Sequence, residues 1–296
     1  HCDERPLFGV FDLRHTAKLI VSCPDQHGLV ARISDFIFRN GGNILHFVQH
    51  TRLHAGVFLA RTEWELEGFQ IPRERIADCF QGIALECDMQ FELIFSDHVP
   101  KVAILASKLP HCLQDLLLRQ KAGELKAEIA LIISNHEETG QIAQSFRIPF
   151  RHFPITAGNK AKQEAAEIQE IKSAGAELVV LARYMQILSE DFVATFPNRI
   201  INIHHSFLPA FIGAQPYHQA FARGVKLIGA TGHYVTSELD NGPIIDQEII
   251  RVSHRDSVED LIRKGRDLEK VVLARAVRLH LMHRILTYGN KTVIFD

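Results

Sequence analysis

The residues best suited to chemistry lie at the end of a β-branched apolar run, Ile200-Ile201-Asn202-Ile203-His204. The run reads as a buried strand, yet Asn202 and His204 interrupt it with polar side chains. Strand side chains alternate faces, so two residues this far apart point the same way. An amide and an imidazole at the carboxyl end of a buried strand suit a carbonyl substrate. The oxygen that gains charge on attack needs preorganised donors, and the departing group needs a proton. A core pair satisfied by backbone groups is the alternative, but two such residues before a Pro-containing segment (Ser206-Phe207-Leu208-Pro209-Ala210-Phe211) favour a site. A third polar residue, Asp240, belongs to the turn Asp240-Asn241-Gly242. An Asp in such a turn most simply bonds local backbone amides.

Other candidate chemistry is weaker. His46 and His50 have a helical metal-binding spacing but fall in a segment, 44–51, that reads as a strand, where they stand too far apart to chelate. His204 and His205 are adjacent on a strand and should face opposite ways. No metal site is expected. Five scattered cysteines (Cys2, Cys23, Cys79, Cys87, Cys112), with no C-x-x-C among them, fit reduced thiols in a cytoplasmic protein.

The positioning elements come from a chain of 296 residues, enough for one large domain or two ordinary ones. A hydrophobic fraction of 46% with a formal charge of -2 describes a soluble globular protein without a broad nucleic-acid footprint. No apolar run reaches the roughly 20 residues of a membrane span, and no secretory signal opens the chain. The first residue is His rather than Met, so the native amino terminus is expected upstream.

The first part reads as strand 18–22, a helix carrying Leu29, Ile33 and Phe36 and stopped at Asn40-Gly41-Gly42-Asn43, and strands 44–51 and 57–66 around a turn near His54-Ala55-Gly56. A helix opening at Pro72 and a strand over 89–95 complete a βαββαβ, ferredoxin-like order. This order, with Pro24-Asp25-Gln26-His27-Gly28 ahead of the first helix and Gly42-Asn43 ahead of the second strand, resembles an ACT domain over residues 1–95. The resemblance implies a regulatory or assembly module that binds a small amino acid and pairs with a copy of itself. The effector, glycine or methionine being natural candidates, would lie near Asp25, His27, Gly28 or Asn43, where free helix-start amides can hold a carboxylate. Read structurally, Asp25 caps the helix and Gly28 eases packing. A homodimer or homotetramer is the expected assembly.

After a connector at 96–100, strands alternate with helices through residue 296, the rhythm of a doubly wound parallel sheet. The expected strands are 102–106, 129–133, 148–153, 178–181 and the Asn202/His204 run, with 227–235 and 243–251 as a later pair. Helices carry Leu113, Leu116 and Leu117; Ile142 and Phe146; and 160–174. Ser189 caps a further helix bearing Phe192 and Phe196, and the loop 182–188 before it shows exposed-looking apolar residues. A last helix begins near Asp256 with Glu259 in a capping arrangement.

Three blocks, 201–209, Gly229-Ala230-Thr231-Gly232-His233-Tyr234-Val235 and Leu239-Asp240-Asn241-Gly242-Pro243, resemble the 10-formyltetrahydrofolate-dependent formyltransferase family in the same order. That resemblance implies a Rossmann-like, mostly parallel open sheet and a catalytic trio falling on Asn202, His204 and Asp240. It implies a folate pocket lined by Tyr184, Met185, Ile187 and Leu188 and by Val235, Thr236, Ser237, Glu238 and Leu239. Folate is then a substrate, and no cofactor is expected.

An ACT-like unit ahead of this domain resembles the branch of the family that passes the formyl group to water, releasing formate and tetrahydrofolate for one-carbon and purine metabolism. Two features agree. Where family members that formylate a ribonucleotide hold its phosphate on a glycine-rich turn, this chain has Ser107-Lys108-Leu109-Pro110-His111-Cys112, with no glycine and a proline lacking an N–H. Nor does any basic domain follow for a tRNA acceptor. His205 and Phe207 replace the more usual Pro and Leu. Transfer to an amine acceptor and a non-catalytic amino-acid or folate sensor are the alternatives.

Overall fold

A computed structural model describes residues 15–52, 55–156, 158–210 and 216–295. The chain divides into two compact units between His98 and Val99. His54 of the expected turn and Phe211 of the expected loop lie outside the described residues.

The first unit runs β1 (Thr16–Pro24), α1 (Leu29–Arg39), β2 (Ile44–Arg52), β3 (Val57–Glu65), α2 (Ile76–Glu86) and β4 (Gln90–Phe95). Its sheet has the order β2-β3-β1-β4 with antiparallel neighbours, a ferredoxin-like arrangement. Alternation places Ala17, Leu19 and Val21 of β1 and Phe58, Ala60 and Trp64 of β3 in one core with Ile33 and Ile37 of α1 and Ile76 and Phe80 of α2. Phe80 contacts Phe36 and Phe91 edge-on, at 5.3 and 5.0 Å. The helix expected to open at Pro72 begins instead as a 3₁₀ turn over Arg73–Arg75, closed by the Arg75 amide on the Pro72 carbonyl. Proline's fixed φ starts a turn, but the apolar face that packs begins at Ile76.

The second unit runs β5 (Lys101–Ala106), α3 (His111–Lys121), β6 (Glu128–Ser134), α4 (Thr139–Phe146), β7 (Phe150–His152), α5 (Lys160–Ser173), β8 (Leu178–Ala182), α6 (Glu190–Thr195), β9 (Ile200–His204), α7 (Pro216–Arg223), β10 (Leu227–Tyr234), β11 (Ile244–Arg251), α8 (Val258–Leu281), β12 (Ile285–Tyr288) and β13 (Lys291–Ile294). The main sheet has the order β11-β10-β9-β8-β5-β6-β7, parallel from β9 through β7, with β10 and β11 antiparallel to their neighbours. The continuous apolar runs are buried on both faces because separate helix layers cover them, α3 and α8 on one side and α5 and α6 on the other. The order in which strands are added reverses between β5 and β8, which run parallel, so the carboxyl ends of β8 and β9 open beside a topological switch point, where such sheets bind ligands.

Several expectations need correction. The third strand is only Phe150–His152. The cap of α8 is Ser257, whose hydroxyl accepts from the Asp260 amide while Asp260 accepts from the Ser257 amide. Asp256 is engaged elsewhere, by the Ser253 amide and Lys264. Helix α7 and the β12–β13 hairpin went unforeseen, being too short to show a period.

Candidate active site

Asn202 and His204 end β9 on one face, as their spacing demands, and both line a cleft of about 460 Å³ at the carboxyl edge of the sheet. That size suits a small organic ligand. The antiparallel register of β10 against β9 sets His233 directly opposite Asn202 and Thr231 opposite His204. Thr231 then pins the segment after the strand: its hydroxyl accepts from the Leu208 amide at 3.1 Å and donates to the Ser206 carbonyl at 2.9 Å.

Asp240 reaches the same place from the loop between β10 and β11. Its backbone is left-handed, φ 53°, a conformation Asp tolerates better than most residues. At Gly242 the loop packs so closely that a Cβ would fall onto the Tyr234 carbonyl oxygen. Asn290 donates to the Asn241 carbonyl at 2.7 Å and steadies the turn from outside. Rather than bonding its own turn, the Asp240 carboxylate lies 3.2 Å from His204 Nδ1. Burial alone would raise this carboxyl, but the hydrogen bond and charge of His204 outweigh it and hold Asp240 below the ordinary carboxylate range. His204 Nε2 is buried with no protein partner, as a nitrogen reserved for a ligand would be.

His233 was not singled out in the sequence, although the register makes it part of the site. Its Nδ1 donates to the Tyr234 carbonyl at 2.9 Å, which leaves Nε2 to accept from Asn202 Nδ2 at 3.2 Å. Burial pushes this imidazole below its ordinary value, against the opposing hydrogen bond to Tyr234, so the neutral form is favoured. Asn202 is thereby held with its nitrogen end toward His233 and one N–H to spare. The available signal was a polar residue inside an apolar strand facing the Asn202 strand.

All nine expected folate-pocket residues, Tyr184, Met185, Ile187, Leu188, Val235, Thr236, Ser237, Glu238 and Leu239, line the cleft. They are not alike. Met185, Ile187 and Leu239 are more than half exposed, whereas Tyr184 is buried and belongs to the core. The expectation of an exposed loop therefore fails at Tyr184, whose hydroxyl donates to Glu167 Oε1 at 2.5 Å. Glu167 and Glu164 sit on the buried face of α5 with Ile171. Burial raises the Glu167 carboxyl to about 7, against the opposing Tyr184 hydrogen bond and with help from the neighbouring Glu164 charge. Lys160 ties the same loop down by donating to the Ile187 carbonyl.

His205 also corrects an expectation. Strand β9 ends at His204, the strict alternation lapses there, and both residues line the cleft with ring centroids 5.2 Å apart. Among the described residues, one group has metal-ligand spacing: His111, Cys112 and Glu269. It does not suit a cation. Burial pushes the Cys112 thiol well up, and Glu269 is occupied by His111 Nε2 at 2.7 Å and by the Tyr217 hydroxyl at 2.7 Å, with Arg183 at 3.5 Å.

The expected effector residues lie apart from one another in the first unit. Asp25, His27 and Gly28 are exposed at the start of α1, and Asn43 follows its end, about 16 Å along an 11-residue helix. The cap position is Gly28, φ 86°, with no side-chain cap, so Asp25 does not cap α1. A Cβ at Gly28 would meet nothing, so its conformation rather than close packing accounts for glycine. The Asn43 amide donates to Glu65 Oε2 at 2.7 Å.

Residues 100–277 match the family described as formyl transferase. A formyltetrahydrofolate deformylase of Synechocystis sp. is 57% identical over 280 residues, 95% of this chain and 98% of that protein. The crystal structure of a formyltetrahydrofolate deformylase from Pseudomonas syringae pv. tomato superposes with a TM-score of 0.95 at 44% identity, covering 97% of this chain and 96% of that one. A glycinamide ribonucleotide transformylase 1 from Symbiobacterium toebii superposes with a TM-score of 0.64 at 32% identity, covering 69% of this chain and 98% of its own.

Proposed function

The chain belongs to the formyl transferase family and, within it, to the formyltetrahydrofolate deformylases, which hydrolyse 10-formyltetrahydrofolate to formate and tetrahydrofolate; from that premise we propose that Asn202, His204 and Asp240 carry the hydrolysis. The formyl group enters beside the carboxyl end of β9. The free N–H of Asn202 and a protonated His204 Nε2 donate to the formyl oxygen as it gains charge. Asp240 accepts from His204 Nδ1, which orients the imidazole, and its other oxygen can hold the attacking water. A water oxygen bonds to the formyl carbon as the water gives a proton to Asp240, the carbon–N10 bond breaks, N10 takes a proton from His204, and formic acid leaves and ionises to formate while the Asp240 proton returns to His204. The apolar side chains of Met185, Ile187 and Leu188 and the 235–239 loop provide the walls for the pterin.

One observation carries this reading: Asp240, from a loop remote in sequence, lies 3.2 Å from an imidazole that lines the cleft and whose other nitrogen is buried without a protein partner. The test is formate release from 10-formyltetrahydrofolate with no amine present. Activity that depended on an added amine would restore the transfer alternative, and folate binding without turnover would restore the sensor.

The first unit is read as an amino-acid-responsive, self-associating module. What supports this is its ferredoxin-like order and a first helix whose initial amides carry no side-chain cap. An effector such as glycine or methionine would engage the 25–28 turn, and Asn43 would join the same ligand only across two copies of the chain. Activity that responds to neither amino acid, in a protein that sediments as a dimer or tetramer, reduces the unit to assembly.

A further inference from the structure

Arg183 follows β8 directly, in a left-handed conformation (φ 62°) that non-glycine residues adopt only where surroundings enforce it. It is 9% exposed and lines the catalytic cleft. Its guanidinium pairs with Glu269 at 3.5 Å, while His111 Nε2 and the Tyr217 hydroxyl bond the two Glu269 oxygens at 2.7 Å each, and Arg183 Nε and Nη1 make no hydrogen bond. Backbone strain together with unsatisfied buried donors marks a position not chosen for stability.

The cluster continues to the catalytic imidazole. The Tyr217 ring lies 6.0 Å from His205, and His205 lies 5.2 Å from His204. Burial, assisted by the charge of Arg183, lowers His205 to about 4 and keeps it neutral. One flank of His204 is therefore a packed run of polar side chains in which Arg183 carries positive charge and both oxygens of the buried carboxylate accept from neighbouring side chains.

Both hydrolysis and transfer break the same carbon–N10 bond and protonate N10. With water, a carbon–oxygen bond forms and formate leaves. With an amine, a carbon–nitrogen bond forms, the amine loses a proton, and a formamide leaves. A simple alkylamine is an ammonium ion at neutral pH, drawn toward the Asp240 carboxylate but repelled by a cation that lines the same cleft. We propose that Arg183, with Glu269 engaged behind it, is the specificity residue that denies amines this foothold and leaves water as acceptor. This inference rests on the deformylase reading above.

The test feeds [13C-formyl]-labelled 10-formyltetrahydrofolate to the full chain with methylamine, an ammonium ion, and resolves formate from amide by NMR against enzyme-free blanks. The native enzyme should give formate alone. Arg183→Gly, which suits the positive φ, and Arg183→Gln, which removes charge but keeps bulk, should raise the amide-to-formate ratio with methylamine by at least about tenfold; a merely structural loss would slow both products equally. An unchanged ratio in either active variant overturns the proposal, as does ready amide formation by the native enzyme, a result that needs no variant. Failure of the native enzyme to release formate without amine would instead overturn the deformylase reading.

Discussion

Asn202 Nδ2 donates to His233 Nε2 across the β9–β10 pair at 3.2 Å, and the Tyr234 carbonyl fixes which His233 nitrogen can accept. A backbone carbonyl thus decides, through a neutral imidazole, which way the Asn202 amide points. His233→Ala should lower kcat roughly ten- to a hundredfold, the scale of losing one oriented hydrogen bond in a transition state, while KM for folate moves little. A steady-state comparison showing native kcat would remove His233 from this role.

His204→Ala and Asp240→Asn should each reduce formate release by roughly 10²–10⁴-fold with circular dichroism unchanged. The double variant should be little worse than the worse single one, because the two act as one unit. Multiplicative losses would mean that they work independently.

Gly242→Ala tests whether loop packing places Asp240. Its new methyl would meet the Tyr234 carbonyl, so the turn must move. The expected result is at least about a tenfold fall in kcat, because small displacements of catalytic groups are costly. A crystal structure of that variant with Asp240 still on His204 and native turnover would contradict it.

Glu167 predicts a pH dependence of stability. Its carboxyl is raised in the folded protein from the ordinary 4.5 to about 7, so the folded state binds the proton more tightly than the unfolded. Its contribution is fully present below about 4.5 and is lost as pH rises through about 7, by an amount on the order of 3 kcal/mol. Glu167→Gln can still accept from Tyr184 and should flatten the fall in melting temperature between pH 5 and pH 8. An unaltered slope would place the ionisation elsewhere.

Activity measured with glycine and with methionine tests the first unit. Asp25→Ala and Gly28→Ala should abolish any response while leaving basal formate release intact, since these residues are exposed at the start of α1. A response that survives both would move the effector away from that turn.

Much of this protein was legible from residue order. Strand and helix periods revealed both sheets, and the spacing of Asn202 and His204 put them on one face because strand alternation is a local property. Ser189 as the α6 cap was equally local. The cap at Ser257 was misassigned because two overlapping candidate pairs satisfy the same rule, and Asp256 found Lys264 instead. What composition and spacing could not supply was the meeting of remote residues. Asp240 turns to His204 rather than to its own loop because Gly242 lets the turn press against Tyr234. His233 enters through strand register, Tyr184 sinks onto Glu167, and Arg183 reaches Glu269 on a helix far along the chain. Local sequence sets φ, ψ and face, whereas partners for buried charge depend on which strands neighbour one another, and only the folded sheet determines that.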